Sequence, residues 1–303
     1  MNKSILLIFL YLVILTSSLT FPPNFVSLVA EAQQKSAITV GSSNNVTDLL
    51  KSNSQQNSST PLENKTVNYF GNASGYLVYP TASSSLLIKN NNTAANNNDT
   101  FPAVIMIHEN KGLNNNIKNM ANLLAKEGYV VLAVDLFNGE VTTDQKRASE
   151  LTQSIRDNPD AAITNLKSAV KYLALLPNVN PQKIASLGWC FGGQQSLQLA
   201  LNSEDHPLAA TVIYYGRLVT EPETLSKIKW PVLGIFGDQD QSIPVTSVEQ
   251  FEEALTQNGI TNEIYIYKGV GHAFANPSGD NYAPNETKGA WQKTLSFLNK
   301  YLS

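Results

Sequence analysis

The only cysteine of the chain lies in a glycine-rich segment whose residue types could display a nucleophile. Cys190 follows the apolar run of residues 184–189 and precedes a leucine pattern typical of a helix. Gly188 lies two residues before it and Gly192 two residues after it. This spacing is typical of a nucleophile elbow, where a strand turns sharply into a helix and glycines let the two approach closely. The helix N-terminus would also favour a thiolate. The alternative is a buried structural cysteine, which the glycine pattern disfavours.

A nucleophilic thiol needs a base, and the base needs a group that orients it. His272 comes just after the last strand-like segment, and Asp240 comes just after the preceding one. The order Cys190, Asp240, His272 is the nucleophile–acid–base order found with such elbows. Asp238 is a rival for the acid. Asp240, with Ile-Pro three residues later, fits the position better, so we predict that Asp240 orients His272.

The segment "IHENKGLN" supplies a third candidate group at the end of an apolar strand pattern. The N–H groups of Asn110 and Phe191 are predicted to hold a tetrahedral oxyanion, each worth roughly 3 kcal/mol in a comparable site. Glu109 is unusual, because a carboxylate at a buried strand end is costly unless it is paired. We expect a nearby thiol or cation to satisfy it; the alternative is a solvated or helix-capping glutamate.

The elements that must position these residues alternate between buried strands and helices. Apolar runs at residues 103–109, 129–137, 183–189, 209–216, 231–237 and 262–269 have the character of strands covered on both faces, and helical patterns lie between them. A hairpin near residues 66–80 precedes them. This alternation predicts an α/β fold with a mostly parallel central sheet and helices on both faces. Ligands of such sheets bind at the carboxyl ends of the strands, where the candidates fall.

Composition excludes several classes of partner and cofactor. The net charge is −3 and no run of Lys or Arg stands out, so nucleic acid and anionic membrane surfaces are not expected partners. One cysteine cannot form an internal disulfide. The three histidines are not spaced as a metal pair, so we expect no metal and no organic cofactor. His206 is predicted to lie at the surface and His108 to be a satisfied buried group.

The N-terminus has the features of a signal peptide. Lys3 precedes an apolar run at residues 5–15, and Ala30 and Ala32 give a small-x-small cleavage pattern. We predict a signal peptide over 1–32, a flexible Ser/Asn-rich tether over 33–65 and one α/β domain over 66–303. An uncleaved N-terminal anchor is the alternative. With a cleaved signal peptide or with an uncleaved anchor, we expect the protein to lie outside the cytoplasmic membrane, either secreted or associated with the cell envelope.

Five motifs together, "HENKGLN", "GYVVLAVDLF", "GWCFGG", "GDQD" before "IP", and "GHAF", resemble the dienelactone hydrolase (carboxymethylenebutenolidase) family. The resemblance spans residues 66–302 and implies an α/β-hydrolase fold. It also implies a Cys190–His272–Asp240 triad that cleaves a lactone or ester through an acyl-enzyme. Glu109 would hold or deprotonate the thiol, so that the resting enzyme need not expose a reactive thiolate.

The sequence departs from the family pattern where two arginines bind the substrate carboxylate. Those positions are Gly139 and Asn276 here, and Arg217 is the candidate for supplying a positive charge instead. The absence of that anion clamp leaves the substrate open within small esters and lactones.

We therefore expect an exported, monomeric hydrolase of a small-molecule ester or lactone. A thioesterase or peptidase on the same fold remains an alternative within the enzyme class. A non-catalytic envelope protein that uses the fold for ligand binding is an alternative outside it. A binder, however, has no reason to keep the elbow, acid, histidine and glutamate together.

Overall fold

The computed structural model describes residues 60–81 and 100–303. The predicted signal peptide and residues 33–59 of the predicted tether lie outside this description. The first strand begins at Leu62, earlier than the predicted domain boundary at residue 66. In these two ranges of the chain, no helix is long and apolar enough to cross a membrane.

The described residues form one eight-stranded, mostly parallel sheet. The strands are β1 (Leu62–Phe70), β2 (Ala73–Pro80), β3 (Phe101–Ile107), β4 (Val130–Val134), β5 (Val179–Trp189), β6 (Ala210–Tyr214), β7 (Val232–Gly237) and β8 (Asn262–Tyr267). Their spatial order is β1-β2-β4-β3-β5-β6-β7-β8. β2 pairs antiparallel with both β1 and β4, and every other neighbouring pair is parallel. The predicted α/β fold class is confirmed.

Helices follow most of the parallel strands. They are α1 (Asn115–Lys126), α2 (Gln145–Asp157), α3 (Pro159–Ala174), α4 (Phe191–Leu201), α5 (Pro222–Leu225), α6 (Val245–Gln257) and α7 (Pro284–Leu302). Two helices, α2 and α3, lie between β4 and β5. The break falls at Asn158, because Pro159 cannot continue a helix from its N-terminal side but is well suited to begin one.

The central strands are buried on both faces, which explains their continuous apolar runs. In β3, Ile105 and Ile107 point into a core shared with α3, α4 and α6. Val104 and Met106 point into a second core shared with α1 and α7. Helices therefore cover the sheet on both sides, and the carboxyl ends of the strands remain as the edge where a ligand can enter.

The order of the strands brings distant residues to this edge. β5, β6, β7 and β8 are successive neighbours, so the residues that follow them, among them Cys190, Asp240 and His272, lie along one line. β3 is the neighbour of β5 on the other side, and its end carries Glu109 and Asn110. The chain order reverses direction between β3 and β5, the position at which open α/β sheets bind their ligands.

Candidate active site

Cys190 lies at a strained turn between β5 and α4. Its φ angle is +55°, a region that residues with a side chain rarely adopt. Its N–H donates to the carbonyl oxygen of Tyr214 (3.0 Å), and its own carbonyl accepts from the N–H of Gln194 (3.1 Å). These two hydrogen bonds hold the backbone on both sides of the residue. The thiol is half-buried and lines a pocket.

The glycines around Cys190 are required by close packing. A Cβ on Gly188 would collide with the carbonyl of Gly192, the first turn of α4. A Cβ on Gly192 would collide with the carbonyl oxygens of Ile107 and His108 at the end of β3. Because neither collision involves a flexible side chain, the backbone would have to move. The elbow is therefore packed directly against the neighbouring strand.

Cys190, His272 and Asp240 form a hydrogen-bonded chain. His272 Nε2 lies 3.0 Å from Cys190 Sγ, and His272 Nδ1 lies 2.8 Å from Asp240 Oδ2. The other carboxylate oxygen, Oδ1, accepts from the N–H groups of Ser242 (2.7 Å) and Ile243 (3.0 Å). Asp240 is thus fixed by its own loop. The rival Asp238 is used differently, since its carboxylate accepts from the N–H of Gly269 (2.7 Å).

The imidazole of His272 is strongly basic in this setting. Burial by itself would lower the pKa of His272, but the hydrogen bonds and negative charges of Asp240 and Cys190 outweigh it and raise the pKa to about 10. The protonated ring can donate from Nδ1 to the carboxylate and from Nε2 to the sulfur. A positively charged donor therefore lies within hydrogen-bond distance of the sulfur.

The pocket next to the thiol is small. Its volume is about 200 Å³, below the roughly 300–1,000 Å³ typical of sites for drug-sized ligands. Asn110 and Phe191 both line it beside Cys190. Phe191 is the first residue of α4, so its N–H has no partner within the helix. The two predicted oxyanion donors therefore border the same cavity as the thiol.

Glu109 is buried, with 6% of its surface exposed, so the alternative of a solvated glutamate is wrong. Its partner is neither a thiol nor a cation: the side-chain amide of Asn276 donates to Glu109 Oε2 (2.6 Å). The two residues line a cavity separate from that of Cys190, and Tyr215 borders both cavities. Burial raises the pKa of Glu109 to about 7, although the charges of His272 and Lys111 oppose the shift. The amide N–H of Asn276 can donate to Oε2 of Glu109 whether the carboxyl group is protonated or ionised.

The two remaining histidines have the environments expected of them. His108 is fully buried; its Nε2 accepts from the N–H of Leu136 (3.1 Å), which leaves Nδ1, 2.6 Å from the carbonyl oxygen of Glu109, as the donor. Burial lowers the pKa of His108. His206 is about half exposed and pairs with Asp205. Within residues 60–81 and 100–303, no three His, Cys, Asp or Glu side chains are grouped to hold a metal ion.

The pocket also contains residues that the sequence did not single out, and Tyr215 and Arg156 are the two that bear on its chemistry. Tyr215, at φ +34°, directly follows β6 and packs edge-on against the ring of His272, with centroids 5.3 Å apart. Its position directly after a strand could have identified it as a site residue, because ligands of such sheets bind at the strand ends. Arg156 reaches the pocket from the last turn of α2, and no motif surrounds it. Arg217, predicted from its place after β6, lines the same pocket.

The chain resembles known proteins over most of its length. Residues 91–302 match the family model described as "Dienelactone hydrolase family". The chain belongs to the dienelactone hydrolase family. It is accordingly a hydrolase of ester or lactone bonds with an α/β-hydrolase fold, as the motifs predicted.

Two curated relatives and one solved structure illustrate the similarity. The "Putative carboxymethylenebutenolidase" of Saccharolobus solfataricus is 29% identical over 232 residues, which cover 65% of this chain and 89% of the relative. The "Probable 2-oxo-3-(5-oxofuran-2-ylidene)propanoate lactonase" of a Bradyrhizobium species is 29% identical over 212 residues, covering 66% of this chain and 84% of the relative. The structure of a "Putative Dienelactone Hydrolase" from Klebsiella pneumoniae has a TM-score of 0.65 at 23% identity, covering 80% of this chain and 100% of that one.

The buried carboxyl of Glu109 predicts a specific pH dependence of stability. Its pKa is raised from 4.5 to about 7, so the folded protein retains a proton that the unfolded chain releases. The free energy of unfolding should therefore fall as pH rises across this interval, by on the order of 3 kcal/mol at about 1.4 kcal/mol per unit. Glu109→Gln should lose this decline while keeping an acceptor for Asn276. Urea unfolding of both proteins at the two ends of the interval measures it; identical pH dependence would contradict it.

Proposed function

We propose that the protein cleaves a small ester or lactone with Cys190 as the nucleophile, through a covalent acyl-enzyme. The observation that carries the proposal is the continuous hydrogen-bonded chain from Asp240 through His272 to the thiol, at a turn with a positive φ angle. The name of the Bradyrhizobium relative, a lactonase, supports a lactone or an ester as substrate.

In the first half of the reaction, the thiolate of Cys190 attacks the carbonyl carbon of the substrate. The negative charge that develops on the carbonyl oxygen is held by the N–H groups of Asn110 and Phe191. When the tetrahedral intermediate collapses, the bond to the leaving alkoxide breaks, and His272 Nε2 gives that oxygen its proton. The product of this step is a thioester on Cys190 and a free alcohol, or the opened ring of a lactone still attached through its acyl end.

In the second half, water cleaves the thioester. His272, now neutral, accepts a proton from the attacking water, and the same two N–H groups hold the second oxyanion. Collapse expels the sulfur of Cys190 as a thiolate and releases the carboxylic acid. Asp240 stays ionised throughout and keeps Nδ1 protonated, so that Nε2 always faces the reacting atoms.

Glu109 has an indirect part in this proposal. No hydrogen bond joins it to Cys190 among the described residues, and its carboxyl is held by Asn276. Its link to the hydrogen-bonded chain is electrostatic, since the charge of His272 lowers the pKa of Glu109 against the effect of burial. Activation of the thiol is assigned to His272 instead.

We also propose that the enzyme works outside the cytoplasmic membrane, because residues 1–32 have the composition and cleavage pattern of a signal peptide. Mass spectrometry of protein recovered from cell fractions should find a mature N-terminus close to residue 33 in the exported fraction. Full-length protein confined to the cytoplasm would contradict export.

Removing the thiol tests the catalytic assignment. Cys190→Ala should lower kcat/KM for p-nitrophenyl acetate by about a thousandfold or more, since loss of a triad nucleophile leaves only residual catalysis by the oxyanion donors. Steady-state release of p-nitrophenol measures it. Asp240→Asn should also lower kcat/KM, because it removes the carboxylate that orients His272. Asp238→Asn is its matched control, since it changes a carboxylate outside the hydrogen-bonded chain. Wild-type rates in the alanine variant, or no ester or lactone turned over by the wild type, would reject the proposal and favour a ligand-binding role.

The role of His272 is tested by alkylation. Iodoacetamide should label the wild type at neutral pH about tenfold faster than His272→Ala, because the imidazolium favours the reactive thiolate, whereas a free thiol is only a few per cent ionised. The chain has one cysteine, so intact-mass measurement of one adduct reports on Cys190 alone. Slow labelling of the wild type that speeds up in Glu109→Gln would instead assign control of the thiol to Glu109.

A further inference from the structure

His108 contacts both residues whose N–H groups we assign to the oxyanion. It directly follows β3 and is fully buried. Its Nδ1 lies 2.6 Å from the carbonyl oxygen of Glu109, which belongs to the same peptide group as the N–H of Asn110. Its ring stacks on that of Phe191, the second donor, with centroids 5.9 Å apart. One side chain therefore joins the two halves of the oxyanion site.

The hydrogen bond to Glu109 fixes the orientation of the Asn110 N–H. The carbonyl of Glu109 and the N–H of Asn110 belong to one planar trans peptide group, so they point in opposite directions. Holding the oxygen against His108 therefore directs the N–H away from that ring. The same oxygen also accepts from the N–H of Gly112, but over a longer distance of 3.4 Å. His108 is thus the closer of the two groups that hold this peptide.

The ring of His108 is itself held in one tautomer. Its Nε2 accepts from the N–H of Leu136 (3.1 Å), which leaves the proton on Nδ1. Burial lowers the pKa of His108, although its hydrogen bond to Glu109 and the charge of Asp135 oppose the shift. The ring is therefore neutral at neutral pH, with its donor facing Glu109 and its acceptor facing Leu136.

The loop that contains Leu136 is anchored from outside the pocket. The hydroxyl of Tyr69, on β1, accepts from the N–H of Asp135 (3.1 Å) and donates to Asn165 Oδ1 (2.7 Å). The side-chain amide of Asn165, on α3, donates in turn to the carbonyl oxygen of Asp135 (3.2 Å). Because β1 and α3 both hold the residue before Leu136, the N–H that binds His108 is a fixed point.

We infer that His108 is a positioning residue for the oxyanion: its Nδ1–H aligns the peptide that carries the N–H of Asn110, and its ring supports Phe191. This inference rests on the proposed function and adds to it a residue that touches no reacting atom. His108 does not line the pocket of Cys190, so it acts through the two donors. A misaligned N–H costs most when the carbonyl oxygen becomes an anion, since hydrogen bonds to charged acceptors are the stronger ones. Loss of the Nδ1 donor should therefore lower kcat with little change in KM.

Two conservative variants separate the two hydrogen bonds of His108. In His108→Asn the side-chain amide N–H replaces the Nδ1 donor to Glu109, and in His108→Gln the side-chain oxygen replaces the Nε2 acceptor for Leu136. In steady-state release of p-nitrophenol from p-nitrophenyl acetate, kcat should stay within about threefold of the wild type in His108→Asn and fall about tenfold in His108→Gln, less than the hundredfold or more that follows removal of a donor. Each variant loses one buried hydrogen bond, so they are matched in what they remove from the fold.

A second readout reports on the oxyanion itself. In p-nitrophenyl thionoacetate sulfur replaces the carbonyl oxygen, and sulfur is a weak hydrogen-bond acceptor. The ratio of kcat/KM for p-nitrophenyl acetate to that for the thionoester should fall about tenfold in His108→Gln and be retained in His108→Asn. Trp230→Phe should leave the ratio unchanged, because it removes a buried hydrogen bond to Thr211 (2.9 Å) where β6 and β7 begin, at the opposite edge of the sheet.

Labelling of Cys190 by iodoacetamide separates this role from general damage to the site, because alkylation does not attack a carbonyl carbon. Each His108 variant should be labelled at the wild-type rate. Slower labelling of His108→Gln would overturn the inference in favour of a structural role. An unchanged ratio in His108→Gln, or an equal fall in His108→Asn, would overturn it as well, while ester hydrolysis that depends on Cys190 would leave the proposed function intact. A wild type that hydrolyses neither ester would reject the proposed function and this inference with it.

Discussion

The close approach of α4 to the ends of β3 and β5 is the constraint on which the rest of the site depends. Cys190 points its thiol into the pocket from a backbone with a positive φ angle, and that backbone is held by hydrogen bonds to β6 and to the first turn of α4. Gly188 and Gly192 allow the contact because a Cβ at either would strike a carbonyl group. Packing of the sheet and helix core stabilises the strained turn. The position of the sulfur and that of the adjacent N–H groups are therefore determined together.

The electrostatics of the site follow from two carboxyl groups with different surroundings. Asp240 accepts hydrogen bonds from two backbone N–H groups and from His272, so its charge is used to orient and hold the imidazolium. Glu109 is equally removed from water but receives only the neutral amide of Asn276, and burial raises its pKa to about 7. One carboxyl thus fixes a positive charge beside the sulfur, while the other can gain or lose a proton near neutral pH without losing its partner.

The sequence was sufficient where short-range pattern determines structure. Continuous apolar runs predict the buried strands, and the rule that ligands bind at strand ends predicts that Cys190, Asp240 and His272 lie at one edge of the sheet. It was insufficient where a contact depends on how helices pack over the sheet. The partner of Glu109 lies 167 residues away, and nothing in the local sequence of Asn276 indicates that its amide points at a buried carboxyl. Arg156 could not be predicted for the same reason. Its helix has a common amphipathic pattern, and only tertiary packing brings its side chain to the pocket.

The same difference between local sequence pattern and tertiary packing separates the residues around Cys190 from the charged residues of the pocket. The residues to which we assign the chemistry, Cys190, His272 and the N–H groups of Asn110 and Phe191, lie just after strand ends or in the first turn of α4. The charged residues of the pocket come from the last turn of α2 and from an exposed position after β6, and their side chains reach in from outside the elbow. Neither position contributes to the two hydrogen bonds that hold the turn at Cys190.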